Sequence, residues 1–517
     1  MSVEEVPVLV IGGGMAGLSA ALLLQQQGVP TMLVERHHEA SPQPKARRFN
    51  LRTMEIYRAL GLTEPLLTAS APLAGFDGLL QGETLATATW PTLVGAHVEQ
   101  RATIEEHSPC GSLLCPQNVL EPILRAAAEQ RGVDVRFGTE LLDIAQDEDG
   151  VTATIERHGN KSIVRAEYVI AADGARSLVR ETLGIASIGK GHLADNLDVY
   201  FRAELAELVG NRRFNLCTID NPAVSGTFVS VNGSDRWLFS TSAHDLSERR
   251  WIDLLRIAIG VPDQEIEIIS AMQWESAMRV AETFAQGRIF LAGDAAHAMP
   301  PMAASGANTA VQDVHNLAWK LGSVLRGSAP RTLLDTYQVE RYPIDYATAE
   351  FSSLVSGDLA TMVKSVMQSQ KVDFNPWVAL LGTQYEQGAL IPDGRGPGPT
   401  DRLAPEGRPG IRAPHVWVRR GAERISTIDL AGPGFALLTG ADGHEWLAAA
   451  NECDIAGYRI GPGAEIDDPQ GTWLAEVGIK SAGALLVRPD GIMAWRSVEA
   501  VDNPAATLAD VLRAVLG

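Results

Sequence analysis

The sequence predicts an α/β protein of several domains, in which an open, largely parallel sheet is interrupted by a separate antiparallel sheet and followed by a small α/β unit. Three observations carry that prediction. Residues 6–35 read as strand, glycine turn, helix and strand; the texture changes to alternating, aromatic-rich runs between residues 185 and 269; and Pro and Gly accumulate at 392–414. The 517 residues leave room for about three domains at ~150 residues each.

The first unit is the most informative. Residues 6–11, VPVLVI, are apolar and β-branched, the pattern of a strand buried on both faces. Glycines follow at 12, 13, 14 and 17. In G-x-G-x-x-G, Gly12 permits the tight turn, Gly14 lets backbone approach a pyrophosphate, and Gly17 lets the helix lie against the strand. Met15 and Ala16 open a helix over 15–27 whose free N–H groups and positive dipole end face the phosphates, and Gly28 ends it. A second strand at 31–34 delivers Glu35 to a ribose diol, with Arg36 on the adenine side. Strand, helix, second strand and terminal acid in one unit distinguish this Rossmann-like dinucleotide site from a chance glycine turn. The uncharged run 6–24 is flanked by Glu4 and Glu5 and interrupted by glycines, which argues against a signal peptide or a membrane span.

Bulk properties narrow the partners. Hydrophobic residues make up 45% and charged residues 21%, as in soluble globular chains. The net charge of -20 disfavours nucleic acid and anionic membranes. Cys110, Cys115, Cys217 and Cys453 form no C-x-x-C pair, so free thiols in a reducing cytoplasm are expected, with no disulfide framework and no metal site.

The remaining elements follow in order. Residues 41–54, SPQPKARRFNLRTM, form an extended loop with basic residues at 45, 47, 48 and 52, suited to an anion, before a helix at 52–60. A helix over 117–131 begins at Gln117 and carries Glu121 and Pro122 in its first turn. Strands are expected at 133–137, 143–155 and 162–171, the last ending at Asp173-Gly174, at the sheet edge where open α/β sheets bind ligands. Runs 197–203, 226–231 and 237–242 read as antiparallel strands. Their aromatics Tyr200, Phe228, Trp237 and Phe239 are candidates to line a pocket for a flat apolar substrate, with core packing as the alternative.

The chain returns with a strand at 288–291, then Gly293 and Asp294 at its end, a bend at Pro300-Pro301, and a helix opened by Gly306, Ala307 and Asn308. His297, alone in a turn, reads as structural rather than catalytic. The expected boundaries are 1–184, 185–275, 276–391, a linker at 392–414, and a final domain at 415–517.

GGGMAG at 12–17 with Glu35, YVIAADGARSLVR at 168–180, and RIFLAGDAAHAMPPMAASGAN at 288–308 stand in the order found in single-component FAD-dependent aromatic hydroxylases. The chain resembles that family over nearly its whole length, and most closely its members that act on polyketide aromatics. The resemblance implies a Rossmann-like FAD-binding domain, an inserted antiparallel-sheet substrate domain and a thioredoxin-like C-terminal domain. It implies FAD as cofactor and NADPH or NADH with O2 as co-substrates, and hydroxylation of a polycyclic aromatic through a flavin C4a-hydroperoxide. Flavin-centred chemistry of this kind needs no acid/base triad, and none is visible. By the same resemblance Gln117 meets the flavin's linker, Asp294 the ribitol, and Pro301 and residues 303–308 the isoalloxazine edge. Asp173 and Gly174 lie near the pyrophosphate, Met302 near the substrate, and Lys45 or Arg47, with Arg47 favoured, against FAD. Ala303 and Ala304 stand where many relatives carry glycine. Baeyer–Villiger insertion, oxidative decarboxylation, an NAD-linked dehydrogenase and a non-catalytic flavin-binding protein are the competing readings, and a monomer or homodimer is expected.

Overall fold

The computed structural model describes residues 3–90, 106–242, 248–301, 304–354, 384–394 and 407–517. Its first sheet is built around Val3–Ile11, which pairs in parallel with Thr31–Glu35 on one side and Asn160–Ala171 on the other. Asp134–Phe137 extends one flank and Ile289–Leu291 the other, also in parallel. Val8, Leu9 and Val10 are fully buried, as a strand covered on both faces requires. The covering helices Met15–Gln26, Gln117–Gln130 and Ser305–Leu325 contribute Leu18, Leu22, Leu120, Leu124, Val311 and Leu317 to the same core. Burial of such a side chain is worth about 1.5–3 kcal/mol, so this sheet holds the cofactor-facing loops on rigid supports.

One expected strand, 143–155, is a hairpin instead: Thr139–Gln146 and Val151–Arg157 pair antiparallel. Asp147 breaks the run by accepting the N–H groups of Asp149 and Gly150 at 2.9 and 3.0 Å, closing a turn over the polar residues 147–150.

The second sheet has seven strands in the order His297–Ala298, Glu267–Ala281, Ser187–Arg202, Arg236–Thr241, Ser225–Ser230, Phe214–Asp220 and Gly78–Gly82. The boundary expected at 275 falls inside the continuous strand Glu267–Ala281, which pairs with Ser187–Arg202 from Ala281 opposite Ser187 to Glu267 opposite Arg202. Gly78–Gly82, from the first part of the chain, closes the far edge in parallel with Phe214–Asp220. The two sheets therefore share chain in both directions. One face of this second sheet is covered by Glu248–Ile259 through Trp251, Leu255, Ala258 and Ile259.

The C-terminal part is a seven-stranded mixed sheet of thioredoxin-like type. Ala436–Gly440 lies parallel to Ala456–Gly461 and antiparallel to Ala484–Val487, and Met493–Ser497 completes the hairpin at 484–497. The described parts of the expected linker are packed segments: Gly410 donates to Met493 O at 2.8 Å and Ala413 to Gly491 O at 2.9 Å. Among the described residues, no helix is long and apolar enough to cross a membrane.

Candidate cofactor and substrate site

The glycine turn leaves little freedom. Gly12 has φ of 109° and donates to Val34 O at 2.8 Å; a Cβ there would lie 2.2 Å from Ala172 O. A Cβ on Gly17 would lie 1.8 Å from Gly12 O. Gly14, at the N-terminus of Met15–Gln26, differs: within 4 Å its Cβ would meet only Glu121 Oε1, at 3.6 Å. Two glycines thus serve internal packing and one leaves an approach to the helix N-terminus, where backbone N–H groups favour an anion. Met15 is buried behind this turn. Glu35, at the end of the second strand, accepts the Gly13 N–H at 2.7 Å and the His37 N–H at 2.9 Å, which fixes its carboxylate beside the turn. Arg36 is exposed.

The segment after Ile289–Leu291 meets this turn. Gly293 has φ of 60°, and its Cβ would lie 3.1 Å from the Cβ atoms of both Ala16 and Ala310, so the openings of two helices converge on it. Asp294 is open to solvent yet ringed by protein; desolvation raises its carboxyl above the usual range, with His297 and Lys45 pulling the other way. Beneath it, the Gly293 N–H and His297 Nε2 both bond Asp313 Oδ2, at 3.1 and 2.7 Å. Arg341 donates to Asp313 Oδ1 at 2.9 Å and to Asp345 Oδ1 at 2.6 Å. His297 is fully buried; burial pushes its pKa down, but Asp313 and Asp345 more than offset this and lift it to about 9. It is a charged structural group out of reach of any substrate. His297, Asp313 and Asp345 offer ligand-like atoms close together, but the Arg341 guanidinium supplies their cationic partner.

Ala304 precedes Ser305–Leu325 in a left-handed conformation, φ 52° and ψ 33°, which costs an L-residue about 1–2 kcal/mol. Pro301 is exposed, Gly306 and Ala307 are half-buried in the first turn, and Met302 and Ala303 lie outside the described residues. Asn308 turns away from the cleft: its Oδ1 accepts the Asn50 N–H at 2.9 Å and Thr53 Oγ1 at 2.7 Å, and its Nδ2 donates to Arg48 O at 3.0 Å. It anchors the basic loop to the helix.

Within that loop the two candidate cations differ in their surroundings. Arg47 is buried and donates to Asn215 O at 3.2 Å and to Ser230 O, because a guanidinium enclosed there needs carbonyl acceptors; burial, then Arg48, lowers its pKa to about 9. Lys45 is exposed, and its charge acts on both Glu121 and Asp294. Gln117 bridges the same loop, accepting the Ala46 N–H at 3.1 Å and donating to Glu121 Oε1 at 2.6 Å. Asp173 adjoins Gly12 through its backbone, but its carboxylate accepts Ser177 Oγ at 2.6 Å and the Val179 N–H at 3.2 Å. Ser177 caps Leu178–Thr182, and Asp173 braces that cap from the preceding turn.

The aromatic candidates divide by strand parity. Phe228 stands opposite Phe239, and Trp237 opposite Phe201, all on the face that packs under Glu248–Ile259. Trp237 is 1% exposed and donates to Ala203 O, and Phe228 and Phe239 are fully buried, so these three are core and do not line a pocket. Tyr200 lies on the other face, opposite Leu238 and Ser270, in a patch with Leu216, Val229 and Val231. Ser270 accepts from Gln43 Nε2 at 2.5 Å, so this face meets the loop that carries Lys45. Asp198, opposite Ser240 and Met272, and Trp274, opposite Asn196, share it. Asp198, Trp274 and Gln43 are buried polar groups; the Asp198 carboxylate interacts with Ser240 and Trp274, and Gln43 Oε1 is left without a hydrogen-bond partner. Sequence reading missed this polar trio; strict alternation around Tyr200 carried the signal.

A diphosphate dinucleotide fits this arrangement: a phosphate approach at Gly14, an acid fixed beside it at Glu35, and a second glycine-acid turn at Gly293-Asp294 in contact with the same helix start. Residues 5–352 match a family model described as an FAD binding domain, and 406–517 one described as aromatic-ring hydroxylase, C-terminal. The chain is 41% identical to a putative polyketide hydroxylase of Streptomyces halstedii, covering 100% of this chain and 98% of that one. It is 38% identical to tetracenomycin A2 monooxygenase-dioxygenase of Streptomyces glaucescens, with the same coverage. Among solved structures, a ternary complex of aklavinone-11 hydroxylase with FAD and aklavinone aligns with a TM-score of 0.91 at 36% identity, over 100% of both chains. Two family models in tandem, full-length relatives and a shared fold place this chain among the FAD-dependent aromatic-ring hydroxylases, as a flavoprotein monooxygenase.

Proposed function

We propose that this enzyme hydroxylates a polycyclic, polyketide-type phenol with O2, taking reducing equivalents from NADPH or NADH. The observation that supports this best is the inner face of the second sheet, where Tyr200, Val229 and Leu238 form an apolar wall beside the buried polar groups Asp198, Trp274 and Gln43 and meet the loop that borders the cofactor cleft. A flat polycycle matches the wall, and its oxygens match the polar atoms, since buried polar groups are normally paired.

FAD, when bound, supplies the oxygen-transfer chemistry, and the chain supplies position and dryness. Glu35 would hold the ribose and the N-terminus of Met15–Gln26 would receive the diphosphate. Asp294 and Lys45 would hold the flavin's polar chain, and the N–H groups of the first turn of Ser305–Leu325 would favour negative charge on the bound cofactor. The sheet's apolar face excludes water, which protects the oxidising equivalent from discharge. Asp198 accepts from a substrate hydroxyl and orients the ring.

The test is a panel of polycyclic phenols incubated with purified yellow enzyme, NADPH or NADH and oxygen. Substrate-stimulated nicotinamide oxidation with matching oxygen uptake, and a product heavier by one oxygen atom, is the expected result. Nicotinamide consumption indifferent to every phenol would overturn the proposal.

A further inference from the structure

Glu121 occupies a position that the reaction does not explain. It lies just past the first turn of Gln117–Gln130, is 3% exposed, and places Oε1 3.6 Å from where a Gly14 Cβ would be. Gly14 is the glycine whose missing side chain opens the diphosphate approach, so an acid stands at the edge of the space an anion enters. Its partners are those a phosphate would use: Gln117 Nε2 donates to Oε1 at 2.6 Å, and the Met15 backbone N–H, at the helix start, also favours its charged form. The charged groups facing it from neighbouring elements are few. Glu35, on the second strand, repels it, and Lys45, on the basic loop, attracts it; the Tyr57 hydroxyl, on Leu51–Ala59, feels its charge.

We infer that Glu121 is a cofactor-positioning residue that takes up a proton when the diphosphate of FAD enters the glycine cradle. The inference rests on the family's use of FAD. Electrostatics sets the direction. With the cradle open, Glu121 is the local anion at the helix start; burial already raises its carboxyl, and Gln117, Lys45 and the Met15 N–H hold it back. A bound diphosphate competes for that N–H and adds negative charge nearby, and both changes raise the carboxyl further. The proton comes from solvent and converts Glu121 to a neutral acid whose O–H can donate to a phosphate oxygen. No bond other than that O–H is made. By linkage, a ligand that prefers the protonated form binds less tightly as pH rises from the carboxyl's value in the free protein towards its value in the complex.

The experiment titrates full-length apoprotein with FAD, and separately with ADP, by calorimetry from pH 6 to 9 in two buffers of different ionisation enthalpy. Expected for the wild type is uptake of about one proton per ligand, with affinity falling by up to about tenfold per pH unit within the window. Glu121→Gln should bind FAD with no such uptake and a flat pH profile, at least as tightly as wild type at pH 9, while Glu121→Asp should keep part of the uptake. Equal proton uptake in wild type and Glu121→Gln would overturn the inference, as would weaker FAD binding by Glu121→Gln at pH 9. Failure of every form to bind FAD at any pH would instead defeat the FAD assignment.

Discussion

Single atoms separate two kinds of glycine in the cofactor turn. Gly17 is there for the fold: a Cβ would sit 1.8 Å from Gly12 O, a backbone atom that cannot swing aside. Gly14 is there for the ligand, since its Cβ would touch only the end of one side chain at 3.6 Å. Gly17→Ala should therefore cost about 3 kcal/mol in chemical denaturation, the upper range of overpacking. Gly14→Ala should stay within about 0.5 kcal/mol of wild type and lose at least tenfold in FAD affinity, because the methyl occupies the phosphate's path. Chemical denaturation and flavin fluorescence titration on the same two variants check this, and the reverse pattern would reassign both residues. At this scale the sequence was most legible, because a glycine's reason for being glycine is local. Arg47 and Asn308 were not legible, since their partners Asn215, Ser230 and Asn50 lie far away in sequence and the choice among acceptors is made by the fold.

At the scale of elements, Ser305–Leu325 and Thr336–Leu354 clamp the Gly293 turn through one buried charged cluster. Asp313 on the first helix holds the Gly293 N–H and His297, and Arg341 on the second helix neutralises Asp313 and Asp345. The pH dependence follows from the sign of each shift. His297 is lifted from 6.5 to about 9, so its contribution is complete below 6.5 and lost as pH rises through 9. Asp313 is held well below the usual carboxylate range by His297 and Arg341 despite burial, so its share is lost only in strong acid, whereas burial holds the Asp345 carboxyl well above that range, so it favours the protonated form and adds to the loss as pH rises. The wild type should thus lose a few kcal/mol of unfolding free energy between pH 6.5 and 9.5, and His297→Gln should lack this alkaline slope while starting less stable. Denaturant titrations at four pH values measure it; identical slopes would remove His297 from the clamp. The elements themselves were largely visible in apolar periodicity. Sheet faces were not: Phe228, Trp237 and Phe239 read as a pocket because the sequence shows which residues share a face but not which face a helix covers. The hairpin at 139–157 was legible but read as one strand: residues 147–150, DEDG, interrupt the apolar run where Asp147 closes the turn with its side chain.

At the scale of the whole molecule, the thioredoxin-like domain is joined to the flavin domain by buried charge, which apolar patterning cannot foretell. Arg488 donates to Glu340 Oε1 and Oε2 at 2.8 and 2.9 Å and to Asp490 Oδ1 and Oδ2 at 3.0 and 2.5 Å. Lys320 reaches Glu340 Oε2 at 2.8 Å, and Arg52 donates to Asp490 O, which ties the basic loop's helix into the same junction. Arg488, Lys320 and Glu340 are 1% exposed or less. Such a network contributes through completeness, since removing one member leaves a buried charge uncompensated. Arg488→Met should therefore cost about 3–5 kcal/mol, and Arg488→Met with Glu340→Met much less than the sum of the two single changes. Loss of Arg488 alone should also divide one calorimetric transition into two, the C-terminal sheet melting ahead of the flavin domain. That outcome would show that buried charge couples the melting of the two domains. A cost below about 1 kcal/mol with a single unchanged transition would mean that the apolar contact of Trp319 and Leu333 with Leu437, Trp446 and Leu508 holds the domains together unaided.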